Sequence, residues 1–107
     1  MKKTTPTIDF SAVLRDLDGA EISDGGKPLT LARVASAALL QAYIDESTLA
    51  GEIKVRRFVL AMKVAEAGEL ELTAEETAML KERVAKGYGP LVVGRAWELL
   101  DPAALKG

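Results

Sequence analysis

A mainly α-helical single small domain of four helices, with a short two-stranded β pairing or hairpin in its N-terminal half, is the fold class this sequence predicts. Three observations predict it. Apolar residues recur at three-to-four spacing through most of residues 31–100. Helix start and stop signals punctuate that pattern: Thr30, Gly68, Thr73, Gly87 and Pro90. Turn residues crowd the chain before Leu31, at Asp16-Leu17-Asp18-Gly19 and Asp24-Gly25-Gly26-Lys27-Pro28.

Residues 1–7 are polar, threonine-rich and broken by Pro6, so they read as a flexible tail before one globular domain over 8–107. From Ile8 to Leu17 two readings compete. Ile8, Phe10 and Ala12 alternate with polar neighbours as a strand would. Phe10, Val13, Leu14 and Leu17 fit a short helix capped by Asp9 or Ser11, and the helical turn is the favoured reading.

The first main helix is predicted over 31–44. Thr30 is its N-cap, and Leu31, Val34, Ala35, Ala38, Leu39 and Ala42 form one stripe that Leu40 and Ile44 widen. The second covers 51–67 and has two apolar faces. Val55, Phe58, Val59, Met62 and Ala65 or Glu66 trace one; Ile53, Leu60 and Val64 trace the other; Glu52, Lys54, Arg56, Arg57 and Lys63 lie between. Gly68 ends it. Leu70 and Leu72 alternate with glutamates as a short strand. Thr73 and Glu76 form a capping box that opens a third helix over 74–86, in which Glu82 and Lys86 make an i,i+4 pair. Gly87 stops that helix and Pro90 starts a fourth over 90–100. Gly94 inside it costs about 1 kcal/mol relative to alanine, which suggests close approach of another backbone. Leu29-Thr30-Leu31 and Leu70-Glu71-Leu72-Thr73 echo one another, and could pair as a two-stranded ribbon.

Composition excludes many functions. The chain of 107 residues has no histidine and no cysteine, so it cannot build a Ser-His-Asp or Cys-His centre, a histidine zinc site or a disulfide framework. Its net charge of −2 is unlike a uniformly basic nucleic-acid surface. No apolar run approaches the roughly 20 residues of a membrane span, and polar residues follow Lys2 and Lys3 where a signal peptide needs an apolar core. A cytoplasmic protein is expected.

Asp16-x-Asp18-Gly19 resembles the signature of haloacid-dehalogenase-like phosphatases, in which two aspartates and Mg²⁺ handle a phosphoryl group. The residues before it do not form the buried strand that fold requires, so a plain turn is expected. Asp16, Asp18, Glu21 and Asp24 could gather around a cation, but their spacing is not that of an EF-hand loop. Gly87-Tyr88-Gly89-Pro90 lacks the ending of a phosphate loop and reads as an inter-helix turn. Met62 and Met79 read as core fillers. Trp97 reads either as core or as a partner-facing anchor.

The segments Ile8–Gly19 (IDFSAVLRDLDG), Asp24–Leu31 (DGGKPLTL), Gly68–Glu76 (GELELTAEE) and Gly87–Leu100 (GYGPLVVGRAWELL) resemble a group of small phage- and prophage-encoded proteins of about this length. The resemblance covers most of residues 8–100. It rests on order and wording and brings no active site. It implies a role in particle or tail assembly through protein–protein contact.

The expected function is therefore a non-enzymatic interaction protein, with no catalytic residue, cofactor, metal or small-molecule substrate. Its fourth helix is apolar on nearly every side and needs cover from this domain or from a second chain. Leu91, Val92, Arg95, Trp97 and Leu99 are its candidate interface, with a homodimer as one partner arrangement. The alternative is a small nucleic-acid-associated regulator using the basic helix residues Lys54, Arg56, Arg57 and Lys63. A remote third is phosphoryl transfer at Asp16 and Asp18.

Overall fold

In the computed structural model, which describes residues 7–66 and 68–105, the N-terminal segment ties the fold together. The expected tail, apart from Thr7, and Ala67 at the predicted end of the second helix lie outside the described residues. Among the described residues there are four α-helices: α1 (Leu31–Leu40), α2 (Gly51–Ala65), α3 (Ala74–Gly87) and α4 (Pro90–Leu100). Two short antiparallel ladders accompany them. Strand β1 (Ile8–Asp9) pairs with β4 (Glu69–Leu70), and β2 (Ser23–Asp24) pairs with β3 (Lys27–Pro28). The β2–β3 hairpin turns through Gly25 and Gly26, both at positive φ (61° and 83°), as a two-residue hairpin loop demands.

Residues 10–17 do not form the expected helical turn. Their backbone is claimed by other segments instead. Phe10 N–H donates to Gly68 O at 2.8 Å and Leu14 N–H to Leu29 O at 2.9 Å, while Leu31 and Ala32 donate back to the carbonyls of Ala12 and Phe10. Isolated bridges join Val13 to Thr30 and Arg15 to Glu21. Asp9 Oδ1 accepts the Ser11 N–H at 2.9 Å, a local turn that competes with helix. The two leucine-threonine echoes do not pair with each other: Leu70 lies opposite Ile8, and Leu29-Thr30 runs beside Val13-Leu14.

Helix α1 is central and packs on both α2 and α3; α3 packs on α4. Thr30 caps α1 by accepting the Arg33 N–H at 3.2 Å, and the Thr73–Glu76 capping box forms with both hydrogen bonds at 2.9–3.0 Å. Leu31, Val34, Ala35, Ala38 and Leu39 are buried as the stripe predicts, against Phe10, Leu14, Leu60, Val64, Leu80 and Val84. Each large apolar side chain so covered contributes about 1.5–3 kcal/mol.

Three expectations fail locally. Helix α1 ends at Leu40 rather than residue 44, because Gln41 turns extended and the chain enters a short 3₁₀ turn over Ile44–Glu46. Ala42 therefore lies off the stripe and Ile44 stands 95% exposed. Met62 is exposed, not core, whereas Met79 does pack against the core. Gly94 approaches no backbone: a Cβ built there meets nothing within 4 Å. Since its helix cost is not repaid by packing, Gly94→Ala is expected to raise unfolding free energy by about 1 kcal/mol in urea titrations; a destabilised variant would show that α4 needs the glycine.

Candidate interaction surface

Helix α4 is mostly covered by its own domain. Ala96 and Leu100 are buried, and Val92, Val93 and Leu99 pack against the core from its edge. Arg95 reaches back across the N-terminal loop, donating to Arg15 O at 2.8 Å and Asp16 O at 3.0 Å, and pairs with Glu98 at 3.2 Å. Trp97 is half-buried. Its indole N–H donates to Lys81 O at 3.3 Å, and the Lys81 ammonium lies 4.6 Å from its ring centroid while bonding Asp101 at 2.7 Å. Of the five α4 interface candidates, Leu91 is the most open, and it is only 37% exposed.

The acidic N-terminal residues disperse to separate partners. Asp16 Oδ1 accepts the N–H groups of Asp18 and Ala20 at 2.9 and 3.0 Å, closing the turn. Glu21 pairs with Arg15 and Asp24 with Arg33.

The four basic residues of α2 do not converge. Side chains two residues apart on a helix point about 200° apart, so Lys54 and Arg56 stand on opposite flanks. Lys54, Arg57 and Phe58 border a groove of about 340 Å³ shared with Leu39–Tyr43. Arg56, Val59 and Lys63 border another on the far side, shared with Thr73, Glu76 and Met79. Arg57 pairs with Glu46 at 3.4 Å and Lys63 with Glu76 at 3.7 Å. Lys54 and Arg56 make no ion pair among the described residues. This is a fringe of split charge, poorly arranged to neutralise a row of phosphates.

Between those grooves runs a ridge. Val55, Phe58, Val59 and Met62 are each between 50 and 58% exposed, and their i, i+3, i+4, i+7 spacing puts them on one face. The opposite face of α2 buries Leu60, Ala61 and Val64 against α1. Helix α2 thus holds its place with three buried residues while four large apolar side chains face outward. The sequence signal for this was the two-faced pattern of α2.

A polar cluster at the end of α1 adds to that apolar anchoring. Arg83, only 1% exposed, donates from Nε to Ala38 O at 3.3 Å and from Nη2 to Gln41 O at 2.8 Å, and pairs through Nη1 with Glu46 at 2.6 Å. Lys86, expected to pair with Glu82, instead bonds Asp45 and Glu46 at 3.2 and 3.3 Å. The Tyr43 ring lies under both cations, at 5.2 Å from Arg83 and 4.8 Å from Lys86. Glu46 also takes Arg57, so one carboxylate joins α3 to α2. Burial raises the Glu46 pKa, but hydrogen bonds from Arg83 and Lys86 and the nearby Arg83 and Arg57 charges outweigh it and hold the carboxyl below its ordinary 4.5. The hydrogen bonds that Lys86 donates to the Asp45 and Glu46 carboxylates raise its pKa.

No protein-family model, no curated protein and no solved structure matches the chain. Among the described residues no helix is long and apolar enough to cross a membrane.

Removing a buried charged partner leaves the rest unpaired, so Arg83→Ala is expected to cost at least about 3 kcal/mol in denaturant unfolding; a loss under half of that would show the cluster to be ornamental. Because the folded-state pKa of Glu46 is depressed, its stabilisation is complete above pH 4.5 and fades as pH falls through the lowered value. Acid titration of stability should therefore flatten in Glu46→Gln relative to the natural chain, and unchanged slopes would contradict the assignment.

Proposed function

We propose that this protein is a non-enzymatic interaction module that works by helix-on-helix contact through the outward face of α2. One observation carries the reading: the Val55–Phe58–Val59–Met62 ridge stands half-exposed on a helix whose other face already completes the core. Contiguous apolar surface of this kind, rimmed by charged residues, is characteristic of protein contact sites. An amphipathic helix laid along such a ridge would anchor at matching three-to-four spacing. The flanking grooves widen the footprint beyond the ridge, and the split basic fringe suits steering and register.

In this reading the working surface is the α2 face rather than the α4 residues Leu91, Val92, Arg95, Trp97 and Leu99. The resemblance to phage- and prophage-encoded proteins supports particle or tail assembly in the host cytoplasm as the setting.

A photo-crosslinking residue installed at Phe58 tests the reading in cells. It should trap a discrete polypeptide adduct, while the same residue at Leu17, which is 87% exposed but isolated on a turn, should not. Equal labelling at both positions, or none at Phe58, would remove the α2 face from consideration.

A further inference from the structure

We infer that the groove between the end of α1, the segment after it and α2 is a binding site for a small amphipathic carboxylate, an apolar tail with one anionic head. This goes beyond the interaction reading and does not depend on it. Arg57 is the residue that carries it. An arginine offers five N–H donors in a fixed planar fork. In the largely buried Arg57 side chain, Nη1 is turned to Glu46 at 3.4 Å. Nε is buried without a hydrogen-bond partner, the one buried side-chain polar atom so placed among the described residues. Nη2, on the same edge of the fork as Nε, makes no hydrogen bond among those residues either. Buried donors are ordinarily satisfied, and an exception asks for an explanation. The two oxygens of a carboxylate match the unpaired Nε–Nη2 edge.

The surroundings fit the rest of such a ligand. Arg57 forms part of the wall of the groove of about 340 Å³, a volume at the lower end of the roughly 300–1,000 Å³ of small-molecule sites. Leu39, Leu40, Leu49 and Phe58 supply apolar lining for the tail. Lys54 borders the same groove and makes no ion pair among the described residues. Glu46 borders it too and would repel an anion, but its charge is already matched by Arg83 at 2.6 Å and Lys86 at 3.3 Å. With Asp45, which Lys86 also takes, the cluster sets four cations (Lys54, Arg57, Arg83 and Lys86) against two carboxylates. That local positive excess lies in a chain whose net charge is −2. The groove on the other flank of α2 has no such excess, since Glu75 and Glu76 there balance Arg56 and Lys63. Positive charge beside apolar walls concentrates an anion.

Octanoate is the probe, with acetate as the head alone and octylammonium as the same tail under the opposite charge. Titrated into the isotope-labelled full chain, octanoate should shift the amides of Leu40, Leu49, Lys54 and Phe58 and saturate below about 10 mM. Acetate and octylammonium should leave those amides in place at the same concentration. Lys54 is exposed and unpaired among the described residues, so Lys54→Gln keeps the fold and should weaken octanoate about threefold. Arg57→Lys keeps the charge beside Glu46 but removes the fork, and should weaken octanoate at least about tenfold. The amide spectrum of each variant before titration reports that it is folded. Shifts by octylammonium or acetate equal to those by octanoate, unchanged affinity in either variant, or no saturable shift of the groove amides overturns the proposal. The photo-crosslinking outcome at Phe58 bears only on the interaction reading.

Discussion

The buried guanidinium of Arg83 is the constraint on which the rest of the arrangement depends. An α-helix leaves its last carbonyls without partners, and α1 solves this with a side chain from α3 rather than with its own next turn. Arg83 donates from Nε to Ala38 O, from Nη2 to Gln41 O and from Nη1 to the Glu46 carboxylate. Charge-assisted hydrogen bonds of this kind are roughly twice as strong as neutral ones, and they need to be, since a desolvated cation is costly. The consequence is geometric. With its end held, α1 stops, the chain reverses through residues 41–50, and α2 returns along α1.

Glu46 extends the same device. Its carboxylate lies among Arg83, Lys86 and Arg57, so α3 and α2 are referred to one point on the connecting segment. Tyr43 roofs the cations, and its hydroxyl fits where Gly87 has no Cβ, only 2.9 Å from where one would stand. The turn between α3 and α4 is thus shaped by the end of α1. Polar atoms at the centre and aliphatic packing on the α1–α3 side divide the labour: the first sets where helices end, the second supplies most of the burial.

Once α2 is held this way, its outward ridge follows as a consequence. Its inner face needs only Leu60, Ala61 and Val64, because Arg57 and Glu46 do the rest of the anchoring. Among the described residues Val55, Phe58, Val59 and Met62 are left about half exposed. Their hydrophobicity fits the helix-on-helix contact proposed for this face. Helix α4 shows the reverse situation. It looked unpartnered in one dimension, yet Arg95, Trp97 and Leu99 each find their contacts at home.

Caps and periods were legible in the residues: Thr30, the Thr73–Glu76 box, Pro90, the buried stripe of α1 and the two faces of α2 all follow from spacing and side-chain chemistry within a turn or two. These are local interactions, so a one-dimensional reading captures them. What escaped it was long-range. Residues 10–14 do not coil into a helix because Gly68, Leu29 and Ile22 supply hydrogen-bond partners that no neighbour in sequence advertises. Helix α1 ends early because an arginine more than forty positions away takes its carbonyls. Which apolar helix face stays open depends on what packs against it, and that sum is made only when the chain is assembled. Side-chain type and spacing therefore settled what each helix could bury; the folded arrangement chose which of those faces it did.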